Sequence, residues 1–256
     1  MIKISLLGYG NLGRHLAHHL CNLEGVELCQ IYSPSQKTQA SKNYEIVNDL
    51  AALKYADLFI AAVSDDALTE LCEKLPAEFC VVHTSGTVGM DALASHSKRG
   101  VFYPLQSFSK EHSVSFDEIP LCLEANNPET MALLEEIAGK LSNKVMHISS
   151  EQRLKLHLGA VLVNNFTNHL YALSKMYLEQ KGLPFDLLHP LMEETTKKAI
   201  AIGPESAQTG PAKRRDLATI NRHLALLEEG QLKEIYNLLS DSIKEHSKSS
   251  HIGNEL

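Results

Sequence analysis

The sequence lacks a long apolar run, an excess of basic residues and a paired cysteine motif, and each absence excludes a class of protein. No apolar stretch approaches the roughly 20 residues that a membrane-spanning helix needs, so we expect no membrane partner. Lys and Arg total 24 against 31 Asp and Glu, which leaves no positive excess to neutralise a phosphate backbone, and we expect no nucleic-acid partner. The five cysteines form neither a CxxC pair nor an even framework, which favours a reducing cytoplasm. The opening residues MIKISLLGYG hold too short an apolar segment for a signal peptide.

What is present is the composition of an ordinary globular protein. At 256 residues the chain is long enough for one large domain or two modest ones. An apolar fraction of 44% and a charged fraction of 21% argue against collagen-like, disordered and disulfide-scaffold classes. The 13 histidines are many for this length, yet none forms an HExxH or other metal-binding spacing, so no metal site is expected.

The chain divides near residue 149 into two halves of different character. Up to about residue 148, β-rich runs alternate with helical stretches, which predicts a parallel sheet with crossover helices. The predicted strands cover 2–7, 26–32, 57–63, 79–83, 100–103, 120–123 and 144–148. From Ser149 onward, apolar residues at three- and four-residue spacing predict helices over 151–180, 186–201, 214–227 and 231–246. A shaped loop over 202–214 and a solvated tail from 247 complete an all-α half.

A glycine-rich turn follows the first predicted strand and opens a helix. This is the context of the dinucleotide fingerprint GxGxxG, whose helix N-terminus meets the pyrophosphate. The residues expected to contact the cofactor are Gly8, Gly10, Asn11, Leu12 and Gly13. We therefore predict an α/β fold in which a Rossmann-type dinucleotide-binding domain over 1–149 precedes an all-α domain over 150–256. The alternative is a turn whose glycines serve packing alone.

The end of the second strand bears on the choice of coenzyme. An Asp or Glu is expected there if the ribose 2′-hydroxyl of NAD is to be held. The segment has no carboxylate, and Ser33, Ser35 and Lys37 would suit a 2′-phosphate instead. NADP is therefore preferred over NAD. The alternative is that the segment is a Ser/Pro turn with a surface lysine and has no role in binding the coenzyme.

Ligands of open α/β sheets lie outside the carboxyl ends of the strands, where several polar segments fall. Val63 and Ser64 are expected to lie along the cofactor, with Asp65 or Asp66 capping the next helix. Four further residues are assigned to the same edge: Thr84 and Ser85 to the cofactor, and Gln106 and Ser107 to the substrate, in a pocket shaped by Pro104 and Phe108.

His83 ends a buried strand at this edge. An imidazole there would orient a carbonyl or carry a proton, which makes His83 a candidate catalytic residue. The alternative is a histidine that caps a buried strand end.

The first helix of the second half carries polar residues on one stripe. His157, Val161, Asn164, Asn168 and Tyr171 follow helical spacing, with Asn165 bordering the stripe. Either these groups form a polar network between helices, or the helix presents His157, Asn164 and Asn165 to the nicotinamide.

The loop TGPAKRRD at 209–216 is the other concentrated polar segment. Thr209 and Arg214 are candidates for substrate binding, because a guanidinium can hold a carboxylate or phosphate with paired N–H groups. Asp216 would equally neutralise an arginine as a structural pair.

Five segments of the chain together resemble an uncharacterised bacterial family of Rossmann-like proteins with a helical C-terminal domain of unknown function. They are GYGNLG at 8–13, HTSG at 83–86, YPLQSF at 103–108, HLGAVLVNNFTNHL at 157–170 and TGPAKRRD at 209–216. That family is similar to deazaflavin-dependent NADP oxidoreductases, pyrroline-5-carboxylate reductases and ketopantoate or β-hydroxyacid dehydrogenases. The resemblance implies a 6-phosphogluconate-dehydrogenase-like architecture, NAD(P) binding and a homodimer formed by the helical domain.

The sequence departs from one of these relatives in the expected catalytic helix. β-Hydroxyacid dehydrogenases present a Lys with an Asn four residues later, whereas Lys155 is followed at that interval by Gly159. We expect an NADP-dependent oxidoreductase acting on a small, acidic carbonyl or imine substrate, with His157 supplying the proton. The alternative is a non-catalytic dinucleotide-binding sensor or partner protein that dimerises through its helical domain.

Overall fold

The computed structural model of the chain describes residues 1–40 and 43–252. By its backbone contacts the chain divides into two compact units, Met1–Phe166 and Thr167–Leu256. The sequence boundary at 149/150 marks the change from strands to helices. The first unit extends further because it includes the helix that follows this change.

Among the described residues, the first unit is built on a sheet in the order β3-β4-β2-β1-β5-β6-β7-β8-β9. The strands are β1 (Ile2–Leu7), β2 (Val26–Tyr32), β3 (Gln39–Ala40), β4 (Glu45–Val47), β5 (Leu58–Ala61), β6 (Cys80–His83), β7 (Lys98–Pro104), β8 (Leu121–Ala125) and β9 (Val145–His147). Its helices are α1 (Asn11–Leu20), α2 (Asp65–Glu73), α3 (Pro128–Leu141) and α4 (Ser150–Ala160), and a π-helical turn (Val161–Phe166) follows α4. Short 3-10 turns cover Leu50–Ala52 and Met90–Leu93.

All seven predicted strands are present, the first two with the predicted bounds. β5 and β6 are fully buried, as continuous apolar runs covered on both faces should be. The sequence missed β3 and β4, which are only two and three residues long. The predicted parallel sheet is mixed: β8 runs antiparallel to β7, and β3 runs antiparallel to β4.

The strand order places a crevice beside β1. β1 pairs in parallel with β2 on one side and with β5 on the other, so the chain changes direction across the sheet between β1 and β5. Ligands of open α/β sheets bind outside the carboxyl ends of the strands at such a switch point. The turns after β1 and β5 therefore form the two sides of the expected site.

The second unit is helical. Its elements are α5 (Thr167–Gln180), a 3-10 turn (Phe185–Leu188), α6 (His189–Ile202), α7 (Pro204–Ala207), α8 (Pro211–Arg214), α9 (Leu217–Leu226) and α10 (Gln231–Ile252). The predicted loop over 202–214 contains the short helices α7 and α8. The predicted helix over 214–227 begins later because Arg215 is left-handed, with φ 55°, and Asp216 caps α9. The predicted tail is helical to Ile252, and residues 253–256 lie outside the described residues.

A buried ion pair fixes the start of α4 against the sheet. The Arg153 side chain is 1% exposed, and its Nη1 donates to Glu124 Oε2 at 2.6 Å from the end of β8. Arg153 Nη2 donates to the Val88 carbonyl and to Ser150 Oγ, and Ser150 Oγ donates to the same Glu124 oxygen at 2.6 Å. Met90 N–H donates to Ser150 Oγ at 3.0 Å. One hydrogen-bonded cluster thus joins helix α4, strand β8 and the loop after β6.

We predict that Glu124→Gln lowers the free energy of unfolding by about 3 kcal/mol at pH 7, because it leaves a buried guanidinium without its counter-charge. Burial raises the pKa of the Glu124 carboxyl, but hydrogen bonds from Ser150 and Arg153 lower the pKa by more, so the net pKa is below its usual value. The carboxylate therefore stabilises the fold above its unfolded pKa of about 4.3, and this contribution is lost as the pH falls through the folded pKa.

Urea unfolding of both proteins between pH 7 and pH 3 measures this difference, which should shrink towards the acid end. Glu129→Gln is the matched control, because the Glu129 partner of Lys98 is 75% exposed and its loss should cost less than about 1 kcal/mol. Equal losses in the two variants would contradict the assignment.

Candidate functional site

Two glycines of the turn after β1 allow α1 to approach the sheet. Gly8 has φ +112°, a left-handed conformation that favours glycine, and its N–H donates to the Tyr32 carbonyl at 2.8 Å. A Cβ on Gly8 would collide with the Ala62 carbonyl, and a Cβ on Gly13 would collide with the Gly8 carbonyl. These glycines therefore permit close packing of helix against strand, as the first and third positions of the fingerprint require.

Gly10 has the opposite environment. It is the N-cap of α1, with φ −76°, and a Cβ at this position would meet nothing within 4 Å. The first N–H groups of α1, including those of Asn11 and Leu12, have no acceptor within the helix. The Asn11 side chain donates to the Phe108 carbonyl at 3.2 Å. Asn11 would therefore contact a ligand through its backbone N–H. Open space in front of unpaired N–H donors fits a pyrophosphate.

The end of β2 lies next to this turn. Ser33 is 4% exposed, its N–H donates to the Val47 carbonyl at 2.8 Å, and its Oγ lies 3.4 Å from Ser35 Oγ. Ser35 and Lys37 are exposed. The structure thus places Ser33 beside the glycine turn. Sequence reasoning gave no role to Arg14, whose guanidinium lies 4.3 Å from the centre of the Tyr9 ring.

The turn after β5 is the other side of the crevice. Val63 is half-buried, and Ser64 is exposed at the N-cap position of α2. The prediction that Asp65 or Asp66 is the cap is wrong, because both lie in the first turn of the helix. Asp65 Oδ2 instead accepts a hydrogen bond of 2.5 Å from Thr87 Oγ1, which links α2 to the loop after β6.

The segment after β6 is held by internal hydrogen bonds. Thr84 is 8% exposed, and its Oγ1 donates to the Ala61 carbonyl at 3.2 Å. Ser85 Oγ accepts from the N–H groups of Thr87 and Val88 at 3.1 and 3.0 Å. These bonds fix a tight turn at the carboxyl ends of β5 and β6, beside the crevice.

His83 is fully buried at the end of β6. Its Nδ1 accepts a hydrogen bond from Ser85 N–H at 3.2 Å. Burial, with the nearby Arg153 guanidinium, lowers the pKa of His83 to about 4. The ring is therefore neutral at physiological pH and supports the turn that follows it.

His157 lies one helical turn after Arg153 in α4 and is half-buried. Its Nδ1 is 3.2 Å from the hydroxyl of Tyr103, at the end of β7, and the two rings meet edge to face at 6.3 Å. A Cβ on the buried Gly86 would lie 2.5 Å from His157 Nδ1. The loop after β6, the end of β7 and α4 thus converge on one imidazole.

The stripe of His157, Val161, Asn164, Asn168 and Tyr171 assumes a regular α-helix. Val161–Phe166 instead form a π-helical turn, with hydrogen bonds to the carbonyl five residues back. Such a turn contains one residue more than an α-turn, so later residues move by one position around the helix. Asn165 therefore takes the place in line with His157 that the sequence assigned to Asn164. Both side chains are exposed.

The predicted substrate residues lie in two separate units. In the first unit Gln106 and Ser107 are exposed, and Gln106 Oε1 accepts from the Ser107 N–H at 2.8 Å. In the second unit Thr209 and Arg214 are exposed. Asp216 caps α9 by accepting from the N–H and Oγ1 of Thr219, bonds that lower its pKa below the usual value.

Sequence reasoning missed the residues that position His157. Arg153, Glu124 and Tyr103 were given no role, since their pairing joins positions 29 to 54 residues apart. One local signal was present: Ser149 and Gln152 have capping-box spacing, and in the structure they exchange both bonds of that motif. This box marks the start of α4 and hence the register of Arg153 and His157.

The described residues show neither a metal-binding cluster nor a membrane-spanning helix. Within residues 1–40 and 43–252 there is no group of three or more His, Cys, Asp or Glu side chains arranged to hold a metal ion. In the same part of the chain, no helix combines the length and apolar character needed to cross a membrane.

Residues 119–243 match the family described as Domain of unknown function (DUF2520). Over nearly the whole chain, the structure is similar to the crystal structure of putative NADP oxidoreductase BF3122 from Bacteroides fragilis, with a TM-score of 0.85 and 40% sequence identity, covering 95% of this chain and 98% of that one. The protein therefore belongs to the DUF2520 family, which confirms the resemblance to an uncharacterised Rossmann-like family.

Other solved structures share the fold at lower identity. Protein TM1727 from Thermotoga maritima has a TM-score of 0.78 at 22% identity, covering 96% of this chain and 99% of that one. Plasmodium falciparum pyrroline carboxylate reductase with NADP bound has a TM-score of 0.58 at 14% identity, covering 97% of each chain. These structures confirm the fold class, a Rossmann-like domain followed by a helical region. A comparison with curated protein sequences finds no match.

We predict that Gly10→Ala raises the dissociation constant for NADPH at least tenfold while leaving the fold intact. The added methyl group meets no protein atom within 4 Å and suits φ −76°. We expect it to hinder the pyrophosphate, because the second glycine of the fingerprint lets the ligand approach the backbone. Fluorescence titration with NADPH and thermal unfolding measure the two effects.

Gly139→Ala is the matched control, since a Cβ at this helical glycine of α3 also meets nothing within 4 Å. It should bind NADPH as the wild type does. Wild-type affinity in Gly10→Ala would show that the turn does not hold the pyrophosphate.

Proposed function

We propose that the protein is an NADP-dependent oxidoreductase that transfers hydride to or from a small carbonyl or imine substrate. The observation that carries the proposal is the glycine turn at the switch point between β1 and β5, with open space at Gly10. The 40% identical relative, whose name describes an NADP oxidoreductase, supports the proposal. So do folds shared with a pyrroline carboxylate reductase and an imine reductase.

The coenzyme would be held by this chain's first unit. The pyrophosphate would be bound by Gly8, Gly10, Gly13 and the main chain of Asn11 and Leu12. The 2′-phosphate would be bound by Ser33, Ser35 and Lys37. Val63, Ser64, Thr84 and Ser85 complete the crevice at the ends of β5 and β6. When bound, a nicotinamide coenzyme supplies a hydride donor or acceptor.

His157 is the proposed proton donor. Reduction of a C=O or C=N bond adds hydride to carbon and a proton to oxygen or nitrogen, and an imidazole can supply that proton near neutral pH. His157 Nδ1 faces the Tyr103 hydroxyl, which leaves Nε2 for the substrate. Of the two histidines that the sequence nominated, His83 has the supporting role, because its lowered pKa of about 4 keeps it neutral.

The remaining residues are assigned to substrate orientation. The amides of Asn164 and Asn165 would orient the reacting group, and the π-helical turn favours Asn165 because it lies in line with His157. In the first unit, Gln106 and Ser107 are proposed to bind the rest of the substrate. In the second unit, taken by itself, Thr209 and Arg214 are proposed as substrate-binding residues. An exposed guanidinium at Arg214 suits an acidic group.

We also propose a homodimer formed by the helical unit. Large apolar side chains on this unit are exposed, among them Leu187 (67%), Leu191 (61%), Ile200 (82%) and Leu238 (70%). A monomer seldom leaves that much apolar surface in water, and a second copy of the chain would cover it. The five cysteines are free thiols, which suits the cytoplasm as the proposed location.

We predict that the purified protein binds NADPH more tightly than NADH and that His157→Ala lowers turnover about 10²–10⁴-fold without changing NADPH affinity. That factor is the usual contribution of a positioned general acid. Nucleotide titration comes first, followed by NADPH oxidation with a panel of 2-oxo acids and cyclic imines, including pyrroline carboxylate.

His18→Ala serves as the control, since His18 is an exposed residue near the end of α1. Failure to bind either nucleotide would refute the proposed function. Binding without turnover of any compound would favour a dinucleotide sensor, and unchanged turnover in His157→Ala would reject the proton donor.

We predict that the protein in solution has twice the 28.3 kDa mass of one chain and that Ile200→Lys raises the dimer dissociation constant at least tenfold. The lysine would place a charge in the apolar surface that the second copy buries. Analytical ultracentrifugation measures both. Thr69→Lys, at an exposed position of α2, is the control, and a monomeric wild type would contradict the assembly.

A further inference from the structure

Three elements that are distant in the sequence of the first unit meet at His157. α4 carries the ring, β7 presents the Tyr103 hydroxyl 3.2 Å from Nδ1, and the loop after β6 brings Gly86 against both rings. A Cβ on Gly86 would lie 2.5 Å from His157 Nδ1 and 3.0 Å from Tyr103 Cζ. The two rings therefore have no room to separate on the side of this loop.

Tyr103 is itself firmly placed. It is 8% exposed and lies in β7 opposite Cys122 of β8. Burial raises the pKa of its phenol, so the hydroxyl keeps its proton throughout the physiological range. A tyrosine hydroxyl both donates and accepts, and it can pair with Nδ1 whether or not that nitrogen carries a proton.

The two ring nitrogens of His157 thus have different surroundings. Nδ1 is engaged by Tyr103, whereas Nε2 makes no hydrogen bond within the described residues. The nitrogen that another group engages determines which one is available for chemistry. The same geometry also keeps the ring from turning over about χ2, which would put Cδ2 in the place of Nδ1 and Cε1 in the place of Nε2.

We propose that Tyr103 is a positioning residue that, with Gly86 packed behind it, fixes the His157 ring so that Nε2 is presented to the substrate. The proposal rests on the proposed function of His157. Tyr103 itself exchanges no proton with the substrate. Its hydroxyl holds the ring orientation before and after His157 releases its proton.

Tyr103→Phe tests this proposal, because it removes the hydroxyl and keeps the ring that packs on Gly86. The expected result is at least a tenfold loss of kcat with an unchanged KM for NADPH, measured with the compound that NADPH oxidation identifies. In a His157→Ala background the same change should have no further effect on kcat. A double-mutant cycle of this kind separates action through His157 from a general structural effect.

A second measurement uses the ligand-free protein and does not depend on turnover. Long-range ¹H–¹⁵N correlation of the histidine rings, with His157 assigned from His157→Gln, should show a hydrogen-bonded Nδ1 in the wild type. Tyr103→Phe should lose that signature, whereas Tyr55→Phe, at a 70% exposed tyrosine, should keep it.

An unchanged Nδ1 signal in Tyr103→Phe would overturn the contact. A changed signal with wild-type kcat, or an equal loss of kcat in the His157→Ala background, would overturn the positioning role. If no compound is turned over by the wild type, the proposed function fails with the positioning role, while the ring signals still decide the contact.

Discussion

The buried Arg153–Glu124 pair is the constraint on which the site depends. A guanidinium that is 1% exposed costs several kcal/mol unless its charge is paired, and here Glu124 supplies the counter-charge while Ser150 and the Val88 carbonyl accept from Nη2. Arg153 Nε is buried without a hydrogen-bond partner among the described residues. Glu124, Ser150 and Val88 come from strand β8, helix α4 and the loop after β6. The pair therefore sets the register of α4, and His157 reaches Tyr103 and Gly86 because it lies one turn further along the same helix.

Glycines determine how closely the elements around the site can approach. At Gly8, Gly13 and Gly86 a Cβ would collide with a backbone carbonyl or an aromatic ring, so neighbouring atoms already fill the space that a side chain would need. A Cβ at Gly10 would meet nothing within 4 Å among the described residues, which suits the open position that the fingerprint gives to its second glycine. One motif thus combines residues that close a contact with a residue that keeps a space open, and the three glycines divide between these roles as the positions of the fingerprint do.

The sequence predicted what local patterns determine. Continuous apolar runs identified β5 and β6, and the spacing of Gly8, Gly10 and Gly13 identified the turn, because burial and backbone freedom act within a few residues. The pairing of Arg153 with Glu124 and of His157 with Tyr103 lay outside that range, since each joins separate elements of the fold. The cap of α2 was misassigned to the Asp pair because an aspartate suits either the cap or the first turn, and the choice depends on where Thr87 lies.

The π-helical turn changes what the missing Lys–Asn pair means. In the resembled β-hydroxyacid dehydrogenases, the two polar groups are four residues apart, about one turn of a regular helix. In this chain the turn Val161–Phe166 aligns His157 with Asn165, two turns along. A proton donor and an amide at that separation would contact a substrate at two points further apart. The departure therefore separates this chain from the Lys–Asn mechanism, and the two functions that remain are the proposed hydride transfer and dinucleotide sensing without turnover.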